Sequence, residues 1–312
     1  MEYRILGKTG LKVSVLSLGA SALGGVFHDV DEGEAVRAVH AALDCGINYF
    51  DVAPAYGATR SETVLGKALQ GVPRHRYFLS TKVGKETAPG PHGRDTLDYS
   101  RTRIRESLQE SAARLGVEHY DIVYLHDIEY LGRRHTERAL GEGLDSLREL
   151  KAEGRIGALG FGIYPLDLWR RILLGCDIDA ALVHNHYCLN DTALLELLPL
   201  ARPRGIGIVN AAPFGSGLLT DRGPADWHPA PPDARALFRS AAEFCRREGS
   251  SISRLALQFA SQNPGIPTTL FSAADPDTVR RNVQWHGEPL DEALLAGVRE
   301  ILGPVMNRQW TS

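Results

Sequence analysis

Eight short apolar runs, each followed by a helical or loop segment, constrain the fold of this chain more than any other feature. They are rich in β-branched and aromatic residues, and they are continuously apolar, as expected of strands buried on both faces. The runs are VSVLSLG (13–19), INYFD (47–51), YFLSTK (77–82), YDIVYLH (120–126), GALGFG (157–162), AALVHN (180–185), GIGIVN (205–210) and PTTLFS (267–272). Such alternation of strands and helices predicts a parallel sheet, either open and doubly wound or closed into a barrel.

Amphipathic patterns between the runs predict the helices. They are expected at 32–46, 100–116, 138–154, 166–175, 191–205 and 233–248. The last of these follows a segment rich in proline and glycine, which makes 211–250 a long ordered loop that passes into an extra helix. No low-complexity linker divides the chain, so we expect one domain, residues 1–312.

Composition and charge exclude several classes of function. The chain has 312 residues, is 43% hydrophobic and carries a formal net charge of -3, so it can bury a sizeable core and lacks the basic surplus of a nucleic-acid-binding protein. No stretch of about 18 apolar residues predicts a membrane span. The four cysteines are scattered without metal-ligand spacing, which favours free thiols, and the amino-terminal segment lacks the apolar core of a secretion signal. We therefore expect a cytoplasmic protein.

Polar residues stand where the apolar runs end. They are Asp51, Lys82, His126, His184 and Asn210, and Gly162 closes the fifth run. In a (β/α)₈ barrel the carboxyl ends of all strands meet on one face, where catalysis occurs. The first three residues would end strands two, three and four, which are neighbours around the ring.

Tyr56 adds a proton-transferring group just beyond strand two. Its phenol, with an ordinary pKa near 10, is activated when a lysine ammonium lies nearby. A carboxylate can hold that lysine, and a histidine can hydrogen-bond a substrate oxygen, so Tyr56 could act as base toward an alcohol or acid toward a carbonyl. A salt bridge, a packed tyrosine or a core histidine explains any one of these residues alone, but the combination favours catalysis. None of these groups stores electrons, so a redox reaction needs a hydride carrier.

Three segments identify the family that this chain resembles. GINYFDVAPAYG (46–57), FLSTKVG (78–84) and YDIVYLHD (120–127) are similar to signature segments of the aldo-keto reductase superfamily, and the likeness runs from about residue 3 to 285. The resemblance implies a (β/α)₈ TIM barrel with an N-terminal β-hairpin at 3–14 and extra C-terminal helices. It also implies catalytic roles for four residues: Tyr56 as proton donor and acceptor, Lys82 and Asp51 as the pair that tunes it, and His126 as the group that orients substrate.

The resemblance further implies a nicotinamide coenzyme, although the face that clamps the nicotinamide departs from the usual pattern. Many relatives carry a Ser–Asn pair after strand five, a glutamine at the end of strand six and a stacking tyrosine after strand seven. Here these places read Gly162-Ile163, His184 and Ala211. The coenzyme contacts implied by position are Ser21, Asp51, His184, Ala212, Pro213, Gly217, Leu218, Ser272 and Asn282.

The residues expected to bind the adenosine part of the coenzyme favour NAD over NADP. Relatives that use NADPH place a lysine and an arginine after strand eight, where this chain has Ser272 and Thr278. A 2′-phosphate would then lack charge-assisted hydrogen bonds of roughly 1.5–3 kcal/mol each. Arg280 or Arg281 could compensate, so NADP stays a possible second coenzyme.

A sugar is the substrate class that the resemblance implies. LHDIEY (125–130) and GLLTDRGPADWHPAPPD (217–233) are similar to the branch of the family that contains plant L-galactose dehydrogenase and bacterial aldose 1-dehydrogenases. We therefore expect oxidation of the C1 hydroxyl of an aldose such as L-galactose or L-fucose to the lactone, with Tyr56 as base. The expected substrate contacts are His28, Tyr56, His126, Asp127, Asn185 and Trp227, with Glu129 and His186 as further candidates.

Alternatives remain open at this stage. Asp127 and Glu129 could instead cap the next helix, and Trp227 could simply pack its loop. HNH (184–186) lacks a third ligand, so no metal is predicted. Other functions are a general NADPH-dependent carbonyl reductase and a non-catalytic nicotinamide-binding regulatory subunit. We expect a monomer or homodimer with no nucleic-acid or membrane partner.

Overall fold

Parallel strands closed into a ring form the centre of the molecule. The computed structural model describes residues 1–87 and 95–309. The strands in these ranges are β1 Tyr3–Ile5, β2 Lys12–Ser14, β3 Leu16–Gly19, β4 Tyr49–Asp51, β5 Phe78–Val83, β6 Lys85–Thr87, β7 Asp95–Leu97, β8 Tyr120–His126, β9 Ile156–Ile163, β10 Ala180–His184, β11 Gly207–Ala211 and β12 Thr268–Phe271. The barrel order is β3-β4-β5-β8-β9-β10-β11-β12, and β12 pairs with β3 to close it. The predicted (β/α)₈ barrel is confirmed, and each of the eight apolar runs overlaps one of its strands.

Helices surround the barrel and cover the outer faces of the strands. They are α1 Glu32–Asp44, α2 Arg60–Leu69, α3 Arg101–Leu115, α4 Tyr130–Arg133, α5 Thr136–Arg138, α6 Leu144–Ala152, α7 Leu166–Gly175, α8 Leu198–Ala201, α9 Pro232–Arg247, α10 Ile252–Ser261, α11 Pro276–His286 and α12 Glu292–Ile301. Side-chain oxygens begin several of them: Asp31 caps α1, Ser100 caps α3 and Asp275 caps α11 by accepting backbone N–H groups. In the described ranges no helix is long and apolar enough to cross a bilayer.

The predicted amino-terminal hairpin, β1 with β2, closes the bottom of the barrel. Leu6 and Val13 are fully buried and join the apolar cluster of the barrel interior. Gly7 has a φ of +52°, and a Cβ there would lie 2.3 Å from the carbonyl oxygen of Gly205. Only glycine permits this close approach of the hairpin to the start of β11.

Two sequence predictions need correction. The single helix expected at 191–205 is wrong, because the chain forms 3₁₀ turns at Ala193–Glu196 and Arg202–Arg204 on either side of the short α8. Pro199 and Pro203 lack the N–H groups that a continuous helix needs. The apolar run 13–19 is not one strand: it divides at Val15, whose N–H donates to Glu2 O (3.0 Å) in the hairpin.

Candidate active site

Four side chains converge at the carboxyl ends of β4, β5 and β8. Lys82 Nζ donates to Asp51 Oδ2 (2.5 Å) and to the Val52 carbonyl oxygen (3.0 Å). The same ammonium lies 4.7 Å from the centre of the Tyr56 ring. The His126 ring meets Tyr56 edge-on, with centroids 5.7 Å apart. Residues that lie far apart in the chain thus share one site, with only Tyr56 partly exposed.

The loop that carries Tyr56 is fixed by its own backbone. Tyr56 N–H donates to Ala53 O (3.1 Å), and Tyr56 O accepts from Ser61 N–H (3.3 Å). Gly57 has a φ of +59°, and a Cβ there would lie 2.2 Å from the carbonyl oxygen of Gly24. The turn after β3 and the turn after β4 therefore pack backbone to backbone, which positions the phenol.

Burial sets the charge state of the lysine and the tyrosine. Burial opposes charge on Lys82, but the Asp51 carboxylate and Tyr56 outweigh it and raise the pKa of the lysine. Burial also raises the pKa of Tyr56, and Lys82 acts in the opposite direction. The sequence predicts the effect of Lys82 on the pKa of Tyr56 with the correct sign but misses the larger effect of burial. In the structure Tyr56 is therefore a neutral phenol, and Lys82 is the group that favours its ionisation.

His126 is a neutral imidazole. Burial, only partly opposed by Asp127, lowers the pKa of His126 to about 3. Its Nε2 lies 3.6 Å from Asp127 Oδ2, and its buried Nδ1 has no hydrogen-bond partner among the described residues. A neutral imidazole has one donor and one acceptor nitrogen. Such a group can hydrogen-bond a hydroxyl or carbonyl oxygen without adding charge.

Lys85 is a site residue that the sequence argument missed. Its ammonium donates to Asp127 Oδ2 (2.7 Å) and lies 3.9 Å from the centre of the Tyr130 ring. Burial acts to raise the pKa of Asp127, but the Lys85 ammonium and its hydrogen bond oppose this effect and hold that pKa low. Asp127, a predicted substrate contact, is thus an ionised side chain beside His126. The signal was a second lysine three residues after Lys82 in the same segment.

Glu129 is a second buried carboxyl group near Asp127. Its Oε1 accepts the backbone N–H of Tyr164 (2.9 Å), and Oε2 is buried without a partner among the residues described. Burial and the Asp127 charge raise the pKa of Glu129 to about 8. The alternative that Glu129 caps the next helix is not observed, because its side chain makes no cap bond to α4.

Aromatic stacking organises the carboxyl ends of β9 and β10. Tyr164 stacks on His186, with centroids 4.6 Å apart, and lies 5.3 Å from the His184 ring. Burial lowers the pKa of His184 to about 4, so it is neutral. His186 is fully buried, and its ring nitrogens lie near Asp191 Oδ2 (3.2 Å) and Tyr164 O (2.7 Å). The His186 side chain therefore holds these loops together, while His184 lies at the carboxyl end of β10.

The loop after β11 has a strained, well-defined backbone. Ala212 has a φ of +62°, and Gly217 has a φ of +101° with the Pro224 Cα only 2.9 Å from where its Cβ would be. Pro213 lies between them, and Leu218 is buried. Asn185, a predicted substrate contact, donates through Nδ2 to Ser216 Oγ (3.0 Å) and ties this loop to β10.

The predicted adenosine site lies between β12 and α11. Ser272 Oγ donates to Gly19 O (2.6 Å) and accepts from Ser21 Oγ (3.1 Å), so these two serines bind each other across the closure of the barrel. The buried Nδ2 of Asn282 has no partner within the described ranges. Because buried amide donors are almost always paired, this atom fits a ligand such as an adenine ring. The residues present are thus compatible with a dinucleotide.

Two loops on the carboxyl face bring aromatic side chains together. Trp227 is 57% exposed, and its ring lies 6.3 Å from that of Phe27, which sequence reasoning missed. His28, a predicted substrate contact, is exposed, and its Nδ1 lies 2.9 Å from Asp29 O. These residues lie in the loops that follow β3 and β11.

Comparisons with known proteins show which proteins this chain is similar to. A profile of the Aldo/keto reductase family matches residues 15–302. The chain is 38% identical to L-galactose dehydrogenase of Arabidopsis thaliana, covering 100% of this chain and 98% of that protein. It is 31% identical to D-threo-aldose 1-dehydrogenase of Pseudomonas sp, with 93% and 94% covered. It is 32% identical to pyridoxal 4-dehydrogenase of Microbacterium luteolum, with 96% of each covered. Among solved structures, an aldo-keto reductase of Bacillus halodurans in its holo form superimposes with a TM-score of 0.79 at 27% identity, covering 100% of this chain and 98% of that one.

Proposed function

The chain belongs to the aldo/keto reductase family, and we propose that it is an NAD-dependent aldose 1-dehydrogenase that oxidises the C1 hydroxyl of a sugar to the lactone. As a member of this family it is an oxidoreductase acting on CH–OH or carbonyl groups. The observation that carries the proposal is the buried Lys82–Asp51 pair, whose ammonium faces the Tyr56 ring at 4.7 Å.

The proposed chemistry assigns one task to each side chain. His126 hydrogen-bonds the C1 oxygen and orients the hydroxyl toward Tyr56. The Tyr56 phenolate, favoured by the Lys82 ammonium, removes the hydroxyl proton, and Asp51 keeps that ammonium in place. A bound oxidised nicotinamide would supply the acceptor for the hydride that leaves C1. Because burial raises the pKa of Tyr56, oxidation should become faster as the pH rises, whereas carbonyl reduction, which needs the neutral phenol, should change little with pH below that pKa.

The sugar specificity rests on the polar groups beside this centre and on the relatives. Asp127 lies within 3.6 Å of His126 and offers carboxylate oxygens to sugar hydroxyls. Trp227 and Phe27 offer an apolar surface on the same face of the barrel. L-Galactose and L-fucose are the first substrates to test, because the relative at 38% identity is an L-galactose dehydrogenase.

The preference for NAD rests on the charges around α11. The Asp275 carboxylate accepts the N–H of Thr278 (2.8 Å) at the start of this helix, where a 2′-phosphate would otherwise find a positive end. Arg280 is paired with Asp277 (3.1 Å), and Arg281 donates to Thr278 Oγ1 (2.8 Å). We expect kcat/KM to be at least about tenfold higher with NAD than with NADP, the loss of one charge-assisted hydrogen bond. Equal efficiencies would refute this preference.

A spectrophotometric screen of aldoses with NAD and NADP tests the function, with the lactone identified by mass spectrometry. Tyr56→Phe should lower kcat at least about 10²-fold, the lower range for a lost general base. Tyr3→Phe, on the distant hairpin, serves as the matched control. Full activity of the Tyr56 variant would end this mechanism. Turnover of aldehydes with NADPH but of no sugar would favour the carbonyl-reductase alternative, and coenzyme binding without turnover would favour a regulatory subunit.

A further inference from the structure

A line of three hydroxyl groups leads away from Asp51 into the interior of the barrel. Ser80 Oγ donates to Asp51 Oδ1 (2.6 Å), Tyr49 Oη lies 2.9 Å from Ser80 Oγ, and Tyr124 Oη lies 3.1 Å from Tyr49 Oη. We propose that Ser80, Tyr49 and Tyr124 are positioning residues that hold the Asp51 carboxylate in the orientation Lys82 requires. This inference rests on the roles proposed above for Asp51 and Lys82.

The barrel register brings these residues together. Asp51 and Ser80 are paired in register on β4 and β5, and Lys82 is paired with Tyr124 on β5 and β8. Side chains two residues apart on a strand point to the same face, so Tyr49 lies below Asp51, and Ser80 below Lys82, inside the barrel. All three hydroxyl-bearing residues have no exposed surface. The set is therefore built by strand pairing rather than by a loop.

Counting protons fixes the direction of every bond in the line. An ionised carboxylate only accepts, so the single Ser80 proton goes to Asp51. Ser80 Oγ can then only accept from Tyr49, and because the Tyr49 proton is now used, Tyr124 must donate to Tyr49. The three dipoles point the same way and end on the charge. Hydrogen bonds aligned in this manner strengthen one another.

The apolar surroundings of the three hydroxyl groups explain why these groups need hydrogen-bond partners. The rest of the interior cluster is apolar, including Leu6, Val13, Ile122 and Leu182, and a hydroxyl group buried there without a partner is unfavourable. Burial raises the pKa of both Tyr49 and Tyr124, so both stay neutral donors. The three hydroxyl groups therefore hydrogen-bond one another and the Asp51 carboxylate.

Each oxygen of the Asp51 carboxylate thus has its own partner. Oδ1 receives the hydroxyl line, while Oδ2 receives the Lys82 ammonium. Tyr56 lies above this pair, and Tyr49 and Tyr124 lie below it. Lys82 also acts on the neighbouring His126 and His184, and the more distant Asp127 acts on Tyr56. Without Ser80, the carboxylate could rotate, and the ammonium would no longer be held under the phenol.

Ser80→Ala tests the inference by kinetics. The expected result is a fall in kcat of about tenfold, the value of one charge-assisted hydrogen bond, with the KM for the sugar unchanged. The deuterium isotope effect on kcat with a C1-deuterated sugar should rise, because the chemical step becomes slower. Active-site titration by coenzyme fluorescence separates this from a merely structural defect, which would reduce the number of working sites and leave kcat per site and the isotope effect unchanged.

Removing single hydroxyls further along the line gives a graded prediction. Tyr49→Phe should lower kcat less than Ser80→Ala, and Tyr124→Phe less again, because each hydroxyl is farther from Asp51. Ser17→Ala is the matched control, since Ser17 is also a fully buried interior serine but bonds Thr268 Oγ1 (2.6 Å) instead. Its kcat should equal that of the wild type. An equal loss in the Ser17 variant would overturn the inference.

A double-mutant cycle gives a reading that does not depend on activity. Ser80→Ala and Asp51→Asn should be non-additive, with a coupling of at least about tenfold in the unfolding equilibrium constant, whereas Ser17→Ala and Asp51→Asn should combine additively within about twofold. Additive Ser80 and Asp51 variants would overturn the inference.

If Tyr56→Phe is fully active while this cycle shows coupling, the proposed mechanism fails and the contact stands. If Tyr56→Phe is inactive and Ser80→Ala has normal kcat per site, only the network fails.

Discussion

Replacing Lys82 by methionine removes the ammonium that faces Tyr56 and leaves the rest of the site in place. The ammonium lies 4.7 Å from the ring centre. At that separation a unit charge favours a phenolate by about 3.5 kcal/mol with an effective dielectric constant of about 20, which corresponds to about 2.6 pKa units. Lys82→Met should therefore raise the already elevated pKa of Tyr56 further and lower kcat/KM for oxidation by about 10²–10³ at a fixed pH.

The assay is the pH dependence of sugar oxidation by wild type and variant, from about pH 6 to about pH 10. The variant should gain about tenfold in kcat/KM per pH unit throughout, because only the small phenolate fraction acts as base. The wild type should show the same rise, because the pKa of its Tyr56 is elevated as well, but with a kcat/KM about 10²–10³ higher at every pH. A variant that keeps kcat/KM within about tenfold of the wild type would refute the reasoning about Lys82.

The effect of Lys82→Met on stability has to be measured separately from its effect on catalysis. Lys82→Met leaves the buried Asp51 without its partner, and breaking such a pair lowers the free energy of unfolding by about 3–5 kcal/mol. The double variant Lys82→Met/Asp51→Asn removes the unpaired charge and should recover part of that stability. It should remain as inactive as the single variant. Recovery of activity together with stability would mean that Lys82 acts only through folding.

Two further predictions concern buried carboxyl groups. Burial first, then a neighbouring carboxylate, raises the pKa of Glu129 from 4.5 to about 8, so the folded protein holds this proton more tightly than the unfolded chain does. Wild-type stability should fall as the pH rises through that window, and Glu129→Gln should remove this part of the fall in chemical denaturation series. Glu62 is fully buried and accepts from Arg114 Nε (2.7 Å), so Arg114→Met should lower the free energy of unfolding by about 3–5 kcal/mol. Arg148→Met, which breaks the exposed pair with Asp145, should change it by less than about 1 kcal/mol.

The barrel could be predicted because strands covered on both faces leave a continuous apolar run in the sequence. Asp51, Lys82 and His126 could be found for the same reason, since polar residues at the ends of several such runs together favour catalysis, although each alone has a structural explanation. The resemblance then supplied roles for them. What the structure adds is that Lys82 and His126 lie against the Tyr56 ring and that Asp51 binds Lys82.

The contacts that depend on register could not be predicted. The Lys85–Asp127 pair joins residues 42 positions apart, and nothing in either segment indicates the other. Ser80 lies inside a predicted buried strand, and its bond to Asp51 becomes visible only when β4 and β5 are paired. The net pKa shift of Tyr56 depends on burial depth, which is a property of the assembled loops.

The pairing of β12 with β3 also governs when a growing chain can acquire this site. The last strand of the barrel in chain order, β12 Thr268–Phe271, pairs with both β11 and β3. Until it leaves the ribosome, the residues of the catalytic centre have all been made, but two strand edges stay open to foreign partners. Chaperone protection should accordingly be needed late in translation, and shortened products that end before Thr268 should accumulate as aggregates.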